Sequence, residues 1–255
     1  MAAPAEVLLF PSALETGIDR APLHSAAALR LTFIVPVYNE VATVAQVLER
    51  VEALPFDKQI IVVDDGSMDG TSDVLEAWRE QSGGLVIRQR NRGKGAAIRA
   101  AIPHIDGDVV IVQDADGEYD PVDVPRLVEP IARGTADVVF GSRLSGGQPQ
   151  RAYLFWHLVG NRFLSLLTNV LFNTTLSDME TGYKVFRADV LRSLELRENG
   201  FGIEPEITGK ICKRRYRIYE LPIAYYGRGY SEGKKITWKD GFRAVGVLLA
   251  VRLGQ

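Results

Sequence analysis

Two aspartates separated by one residue, Asp114 and Asp116, follow a short apolar run and are the residues of this chain best suited to chemistry. A third carboxylate, Glu118, comes two residues later. Carboxylate oxygens are hard ligands that hold Mg²⁺ or Mn²⁺ and leave other coordination positions to substrate phosphates. An acidic turn after a strand is also common on solvated surfaces, so this assignment depends on the motifs around it.

A glycine-rich segment, residues 91–95, carries Lys94 between two glycines at the start of a predicted helix. Free backbone N–H groups and the helix dipole favour an anion at such a position. The spacing of a P-loop is absent, and a plain turn with a solvated lysine is the alternative interpretation. A carboxylate pair suited to a metal, together with a phosphate-binding loop, indicates a nucleoside diphosphate as the ligand.

Strands and helices alternate along the chain and position these motifs. Apolar runs predict strands over residues 31–35, 59–63, 85–87, 108–112 and 136–140, with helical spacing between them. Strands that are apolar throughout are typical of a mainly parallel sheet covered by helices on both faces, so the predicted fold class is α/β. Because functional groups gather at the carboxyl ends of such strands, four segments are predicted to meet at one edge. These segments are residues 36–40, 64–67, 91–95 and 114–116.

Composition excludes several classes of protein. The chain has 255 residues and a formal net charge of −2, which argues against a general nucleic-acid binder. A single cysteine, Cys212, excludes an internal disulfide and a cysteine-rich zinc site, and it suits a reducing cytosol. The sequence contains no run of 18 or more apolar residues, so a membrane-spanning helix is not expected.

The order and spacing of the four segments resemble family 2 glycosyltransferases of the GT-A fold. The resemblance is strongest to dolichyl-phosphate mannose and glucose synthases and their bacterial polyprenyl-phosphate relatives, and it covers roughly residues 31–246. It implies that the nucleotide sugar contacts Pro36, Tyr38, Glu40, Asp64 or Asp65, Lys94 and Asp114. It also implies that a metal lies among Asp114, Asp116 and Glu118. Mannose-type synthases usually have Gln at the last of these positions, so Glu118 leaves the choice between Mg²⁺ and Mn²⁺ open.

The loop from Asp178 to Lys184 resembles the family's Asp-x-x-Ser-Gly-Phe-Arg loop, with Lys184 in place of the arginine. Lysine keeps the positive charge but loses the two-pronged fork that clasps a phosphate, so Arg187 is expected to compensate. The resemblance implies catalytic roles for Asp116, Asp178, Lys184 and Arg187. Acceptor-phosphate contacts are expected from Arg143, Lys184, Arg187 and Arg228, and a nucleotide contact from Lys235.

These features imply a metal-dependent inverting glycosyltransferase that moves a hexose from a UDP- or GDP-hexose to a polyprenyl phosphate. A phosphomonoester is mostly a dianion at neutral pH and needs cations rather than a base. The alternative is a hydroxyl of a soluble acceptor, which would need a general base such as Asp178 or Glu180. A nucleotidyltransferase lacks supporting motifs, and a non-catalytic nucleotide-sugar binder would be expected to have lost the metal carboxylates.

Domain boundaries and membrane contact are further expectations. We expect a loose tail over residues 1–30, without the pattern of a signal peptide. A single domain over 31–236 divides into a nucleotide-sugar and metal half, 31–145, and an acceptor half, 146–236; an amphipathic helix over 237–255 follows. Residues 153–172 form either a core helix or an interfacial one, and the last helix either anchors on a membrane or pairs with a second copy. We therefore expect a cytoplasmic protein, peripheral at the cytoplasmic face of the membrane.

Overall fold

Seven strands and eight α-helices are present in the computed structural model, which describes residues 29–151, 154–229 and 238–254. The strands are β1 (Arg30–Val37), β2 (Asp57–Asp64), β3 (Leu85–Arg88), β4 (Val109–Val112), β5 (Val138–Ser142), β6 (Lys184–Arg187) and β7 (Ile218–Pro222). The helices are α1 (Val44–Glu52), α2 (Thr71–Ser82), α3 (Lys94–Ala101), α4 (Val124–Ala132), α5 (Phe155–Phe172), α6 (Ala188–Ser193), α7 (Ile203–Lys213) and α8 (Trp238–Leu253). The five predicted strands are confirmed, each with bounds within two residues of those expected.

The strands form one sheet in the order β3-β2-β1-β4-β6-β5-β7. β1 pairs in parallel with β2 and β4, β2 with β3, and β5 with β7, whereas β6 lies antiparallel between β4 and β5. The predicted mainly parallel α/β sheet is therefore confirmed. Sequence reasoning missed β6 and β7, because charged residues interrupt both: β6 reads Lys-Val-Phe-Arg and β7 reads Ile-Tyr-Glu-Leu-Pro.

The sheet is covered by apolar side chains on both faces. Successive side chains of a strand point to opposite faces, so Phe33 joins one buried cluster and Ile34 the other. The first cluster includes Leu48 of α1 and Val128 of α4, whereas the second includes Ile98 of α3. Burial on both faces explains why the central strands are apolar throughout.

Four parallel strands, β3, β2, β1 and β4, end at the same edge of the sheet and bring the loops after them together. The backbone N–H of Asn39 donates to Ser67 Oγ at 3.0 Å, and that of Gly93 donates to Asp65 Oδ2 at 2.7 Å. Because β6 runs in the opposite direction, its first residue, Lys184, lies near this edge and its last, Arg187, at the other one.

Helix α8 packs against α5 and α7, and with α5 it forms a small apolar cluster that includes Leu164, Ala244 and Leu248. The same helix leaves Phe242, Leu249 and Leu253 exposed. Among the residues that the structure describes, no helix is both long and apolar enough to cross a membrane.

Leu248 is fully buried, whereas Leu253 on the same helix is 81% exposed. Leu248→Ala is expected to lower the free energy of unfolding by about 2–5 kcal/mol, because it leaves a cavity between α8 and its neighbours. Leu253→Ala is the matched control and should change it by less than about 0.5 kcal/mol. Urea unfolding followed by circular dichroism measures both; equal effects would show that α8 is not docked as described.

Candidate active site

A cavity of about 1030 Å³ opens at the edge where the parallel strands end. Every strand-end loop named above contributes to its wall, and so do helices α3, α5, α7 and α8. The expected site residues that line it are Pro36, Tyr38, Glu40, Asp65, Lys94, Asp114, Asp116, Glu118, Arg143 and Arg228. A cavity of this size accommodates a nucleotide-sized ligand.

The two adjacent aspartates after β2 have different surroundings. Asp65 lines the cavity, and its carboxylate accepts hydrogen bonds from the backbone N–H groups of Arg92 and Gly93 at 2.8 and 2.7 Å. Asp64 does not line the cavity, and its carboxylate accepts hydrogen bonds from the backbone N–H of Ser67 in its own loop and from Ser72 Oγ of α2. Of the two residues left open by the sequence, Asp65 is the one placed to meet a ligand.

Arg228 connects three carboxylates at one side of the cavity. Its guanidinium donates to both oxygens of Glu40 at 2.9 and 3.0 Å and lies 3.3 Å from Asp116. Its backbone N–H donates to Glu118, which also accepts a 2.8 Å hydrogen bond from the Tyr225 hydroxyl. The expected metal carboxylates are therefore held by this chain's own donors.

Within the described residues, no three His, Cys, Asp or Glu side chains are gathered around one point in the manner of a preformed metal site. The chemistry of the donor set nevertheless suits a divalent cation. Burial, together with the nearby charges of Asp114 and Glu118, raises the pKa of Asp116 to about 7 despite the opposing effect of Arg228. The loop thus holds more negative charge than its cations neutralise, and a divalent ion would stabilise that excess.

Lys94 and Lys184 share the carboxylate of Glu204, which lies in the first turn of α7. Lys94 Nζ lies 2.7 Å from Asp114 and 3.2 Å from Glu204, and Lys184 Nζ lies 2.6 Å from the other oxygen of Glu204. Burial alone would raise the pKa of Glu204, but the two ammonium groups lower it below its ordinary value. The four side chains form one series of alternating charge, which is buried at Glu204 and Lys184 and half-buried at Lys94 and Asp114.

The expected role of Lys184 is corrected by this arrangement. Its ammonium group is buried, donates to the backbone carbonyls of Met179 and Thr181, and does not line the cavity. Lys184 therefore fixes the loop before β6 and cannot clasp an acceptor phosphate.

Asp178 and Arg143 form a second buried pair. The guanidinium donates to both oxygens of Asp178 at 2.7 and 2.8 Å, and it stacks on the Tyr225 ring at 5.2 Å from the ring centre. Asp178 is fully buried and does not line the cavity, whereas Arg143 does. The expectation that Asp178 acts directly on substrate is corrected, because its oxygens are occupied in orienting Arg143.

Arg187 is also corrected. It pairs with Val109 at the start of β4, at the end of the sheet opposite Asp114, and its guanidinium contacts Asp189. Arg187 therefore cannot compensate for the missing arginine at position 184. Lys235 lies outside the described residues.

Three residues of the site were missed from the sequence. Glu204 carried a detectable signal, since it and Glu206 are two glutamates in the first turn of a helix whose isoleucines recur at four-residue spacing. Tyr119 and Tyr225 gave none, although the Tyr119 hydroxyl accepts the Gly182 N–H at 2.9 Å and its ring packs on Tyr225. Their proximity depends on segments more than 100 residues apart in the chain.

Asp178→Asn is expected to lower the free energy of unfolding at neutral pH by about 3 kcal/mol, because Arg143 then stays buried without a counter-charge. Burial would raise the pKa of Asp178, but the Arg143 charge and hydrogen bonds lower it below the ordinary 3.8. The stabilisation is therefore present above 3.8 and is lost as pH falls through the lower folded pKa. Unfolding by urea at a series of pH values measures the difference between the two proteins.

The control for this prediction is Asp57→Asn, which affects an exposed pair with Arg30 and should cost less than about 1 kcal/mol. If Asp178→Asn also lowered the free energy of unfolding by less than about 1 kcal/mol at neutral pH, a structural role for the Arg143–Asp178 pair would be contradicted.

Two curated relatives resemble the chain over most of its length. Glycosyltransferase AglJ of Haloferax volcanii is 32% identical over 196 residues, which are 76% of this chain and 62% of the relative. Undecaprenyl-phosphate mannosyltransferase of Micrococcus luteus is 32% identical over 220 residues, which are 81% of this chain and 87% of the relative. The chain thus spans less than two thirds of the length of the first relative and most of the second.

A solved structure with the same fold is glucosyl-3-phosphoglycerate synthase of Mycobacterium tuberculosis, in complex with Mn²⁺, UDP and glucosyl-3-phosphoglycerate. The TM-score is 0.66 at 22% identity, and the match covers 89% of this chain and 81% of that one. At this identity the likeness shows the fold, so the predicted GT-A fold is confirmed.

The model of the family described as glycosyl transferase family 2 matches residues 32–194, which is more than half of the chain. The match includes β1 to β6 and all four strand-end motifs that meet at the cavity. The chain therefore belongs to glycosyl transferase family 2.

Proposed function

We propose that this protein is a metal-dependent, inverting hexosyltransferase that moves a hexose from a UDP- or GDP-hexose to a polyprenyl phosphate. One observation carries the choice of acceptor: α5 lines the cavity with one face and exposes an apolar stripe beside that face. Gly160 and Leu164 belong to the cavity wall, while the stripe consists of Phe155, Val159, Phe163, Leu166 and Val170. A lipid acceptor would need both a polar cavity for its phosphate and an apolar surface next to it.

The stripe is continuous because its members recur at three- and four-residue spacing on one side of the helix. Trp156, which lines the cavity, is itself 78% exposed and connects the cavity wall to the stripe. Helix α8, which packs on α5, exposes a similar stripe of Phe242, Leu249 and Leu253. Apolar surface of this kind favours contact with a lipid interface.

The relatives support the same acceptor class. The Micrococcus relative is named an undecaprenyl-phosphate mannosyltransferase, and it is matched over 87% of its length. With a lipid acceptor the protein would act as a peripheral membrane protein at the cytoplasmic face. A second copy of the chain on the α8 stripe is the alternative occupant of that surface.

The donor would lie against the strand-end loops. Asp65 and Tyr38 line the cavity and would contact the nucleoside, with Pro36 and Glu40 in the same wall. Lys94 at the start of α3 adds a positive charge beside the backbone N–H groups of that helix. Its pKa is raised by Asp114 and Glu204 against the effect of burial, so the ammonium group stays charged at neutral pH.

Asp114, Asp116 and Glu118 would hold the divalent metal, with Arg228 as the neighbouring cation. The metal supplies a Lewis acid that stabilises the negative charge of the leaving nucleoside diphosphate. The solved relative from Mycobacterium tuberculosis was crystallised with Mn²⁺ and UDP, which supports Mn²⁺ alongside Mg²⁺ as the ion. The strand-end loops of this chain would bind and orient the donor next to these carboxylates.

The acceptor phosphate would be positioned by cations that line the cavity. Arg143 and Arg228 meet this condition, whereas Lys184 and Arg187 do not. Asp178 accepts two hydrogen bonds from the guanidinium of Arg143 and thereby fixes the orientation of the remaining N–H groups of that arginine. A phosphate dianion held in this way attacks the anomeric carbon without a general base.

A soluble hydroxyl acceptor is the second candidate, and Glu180 favours it. This side chain lines the cavity, and burial raises its pKa to about 7 against the lowering effect of the Lys184 charge. A carboxyl group with that pKa is suited to accept a proton from a hydroxyl. The solved relative is named as a synthase of glucosyl-3-phosphoglycerate, which is a soluble product.

Transfer to polyprenyl phosphate is expected to require Mg²⁺ or Mn²⁺ and to fall at least about 100-fold in Asp116→Ala, because charge on the leaving diphosphate is no longer stabilised. Release of nucleoside diphosphate and labelled lipid product measures it. Asp73→Ala, in the exposed first turn of α2, is the control and should keep full activity. Undiminished turnover in excess EDTA would contradict the proposed metal dependence.

The intact protein is expected to sediment with liposomes that contain anionic lipid at low salt, and the double variant Phe163→Ser/Val170→Ser should bind at least about tenfold more weakly. The reason is the loss of apolar area from the α5 stripe, where Val170 is 73% exposed. Val122→Ser replaces a valine of similar exposure, 68%, in a different part of the surface, and should bind like the wild type. No sedimentation of the wild type at any salt concentration would favour the soluble acceptor.

A further inference from the structure

Glu180 lies in the loop between α5 and β6, and its backbone is fixed on both sides. The N–H of Met179 donates to Ser165 Oγ at 3.0 Å, and the Thr181 hydroxyl donates to the Gly141 carbonyl at 2.6 Å. The side chain of Glu180 is therefore delivered to the cavity wall by a rigid support. Such a support is what a specific polar contact with a ligand requires.

The carboxylate of Glu180 differs from the buried carboxylates around it. Glu204 and Asp178 each have a cation within 2.6 and 2.7 Å. Glu180 Oε1 is inaccessible to solvent and has no hydrogen-bond partner among the described residues. A buried acceptor left without a donor is costly, so its position in a ligand cavity indicates that the ligand supplies the donor.

The loop that carries Glu180 also forms the wall between the two halves of the site. At Gly182 an added Cβ would lie 2.7 Å from Asp114 Oδ2 and 2.9 Å from Lys94 Nζ, so the loop backbone runs directly against the proposed metal loop. On its other side, Asp178 holds Arg143, the proposed acceptor cation. The group that passes from donor to acceptor must lie between these two points.

We propose that the carboxylate of Glu180 accepts a hydrogen bond from a hydroxyl of the transferred hexose, and that this contact contributes to the choice of sugar. The inference rests on the proposed function, since it assumes a nucleotide-sugar donor in the cavity. A hexose hydroxyl is a neutral donor of the right type for a carboxylate oxygen. A site built around such a contact discriminates against sugars that lack the hydroxyl or present it in another direction.

The test compares the affinity for a nucleotide sugar with the affinity for its nucleoside diphosphate in the same protein. UDP and UDP-glucose, and GDP and GDP-mannose, are titrated calorimetrically into the wild type with Mn²⁺, and the pair that binds is kept. Glu180→Ala should leave the Kd of the nucleoside diphosphate unchanged and raise the Kd of the nucleotide sugar about tenfold. Glu180→Gln keeps an acceptor oxygen and should retain most of the affinity.

Donors that lack single hydroxyls identify the contact. The donor that lacks the contacted hydroxyl should bind equally to the wild type and to Glu180→Ala, because neither complex can form the hydrogen bond. Glu129→Ala, an exposed glutamate on α4, is the control and should leave all affinities unchanged.

Unchanged affinity of Glu180→Ala for the nucleotide sugar would overturn the inference while leaving the proposed function intact. Failure of the wild type to bind any of the four ligands would instead contradict the proposed function. If Glu180→Ala kept the nucleotide-sugar affinity of the wild type and Glu180→Gln lost turnover at least about 100-fold, Glu180 would be a general base, and the hexose contact would be wrong.

Discussion

The shared carboxylate of Glu204 is the interaction on which the site depends. Lys94 and Lys184 both bind it, and each lysine also binds a second segment: Lys94 reaches Asp114 after β4, and Lys184 reaches the carbonyls of Met179 and Thr181. Removal of a buried member of this series, such as Glu204, leaves the lysines without their counter-charge and lowers the free energy of unfolding by several kcal/mol. These ionic contacts therefore fix the relative positions of three segments: the loop after β4, the loop before β6, and α7.

The charged groups of the site are divided between the interior and the cavity wall. Lys184 and Asp178 are occupied inside the protein, where they fix backbone and side-chain positions. Arg143 and Arg228 remain at the cavity wall, where they can meet anionic ligands. Lys94 belongs to both groups, since it lines the cavity and also orients Asp114. The positive charge available to anionic ligands is thus that of the cations that line the cavity.

The fold and the donor side of the site were predictable from the sequence because they depend on local patterns. Apolar runs located β1 to β5, and the rule that parallel strands end at one edge placed Asp65, Lys94 and Asp116 in one cavity. The acceptor side was less predictable. A lysine in a resembling loop gives no sign that it is buried, and the reversed direction of β6, which removes Arg187 from the site, has no local signature.

The surroundings of helix α5 could not be decided from its sequence alone. Its composition allowed a core helix or an interfacial one, and the structure buries Leu164, Ser165 and Thr168 while it leaves the apolar stripe exposed. A polar cavity and an apolar surface on one helix are what a lipid phosphate requires of its enzyme. The proposed acceptor follows from this combination more than from any single residue.

The most direct measurement offers both acceptor classes to the protein at once. UDP-glucose and GDP-mannose, each labelled in the sugar, are incubated with the protein, Mn²⁺, a polyprenyl phosphate in liposomes and 3-phosphoglycerate, and the products are partitioned between butanol and water. We expect labelled product in the butanol phase, and its formation should require the polyprenyl phosphate. Transfer only to 3-phosphoglycerate, with label confined to the aqueous phase, would contradict it.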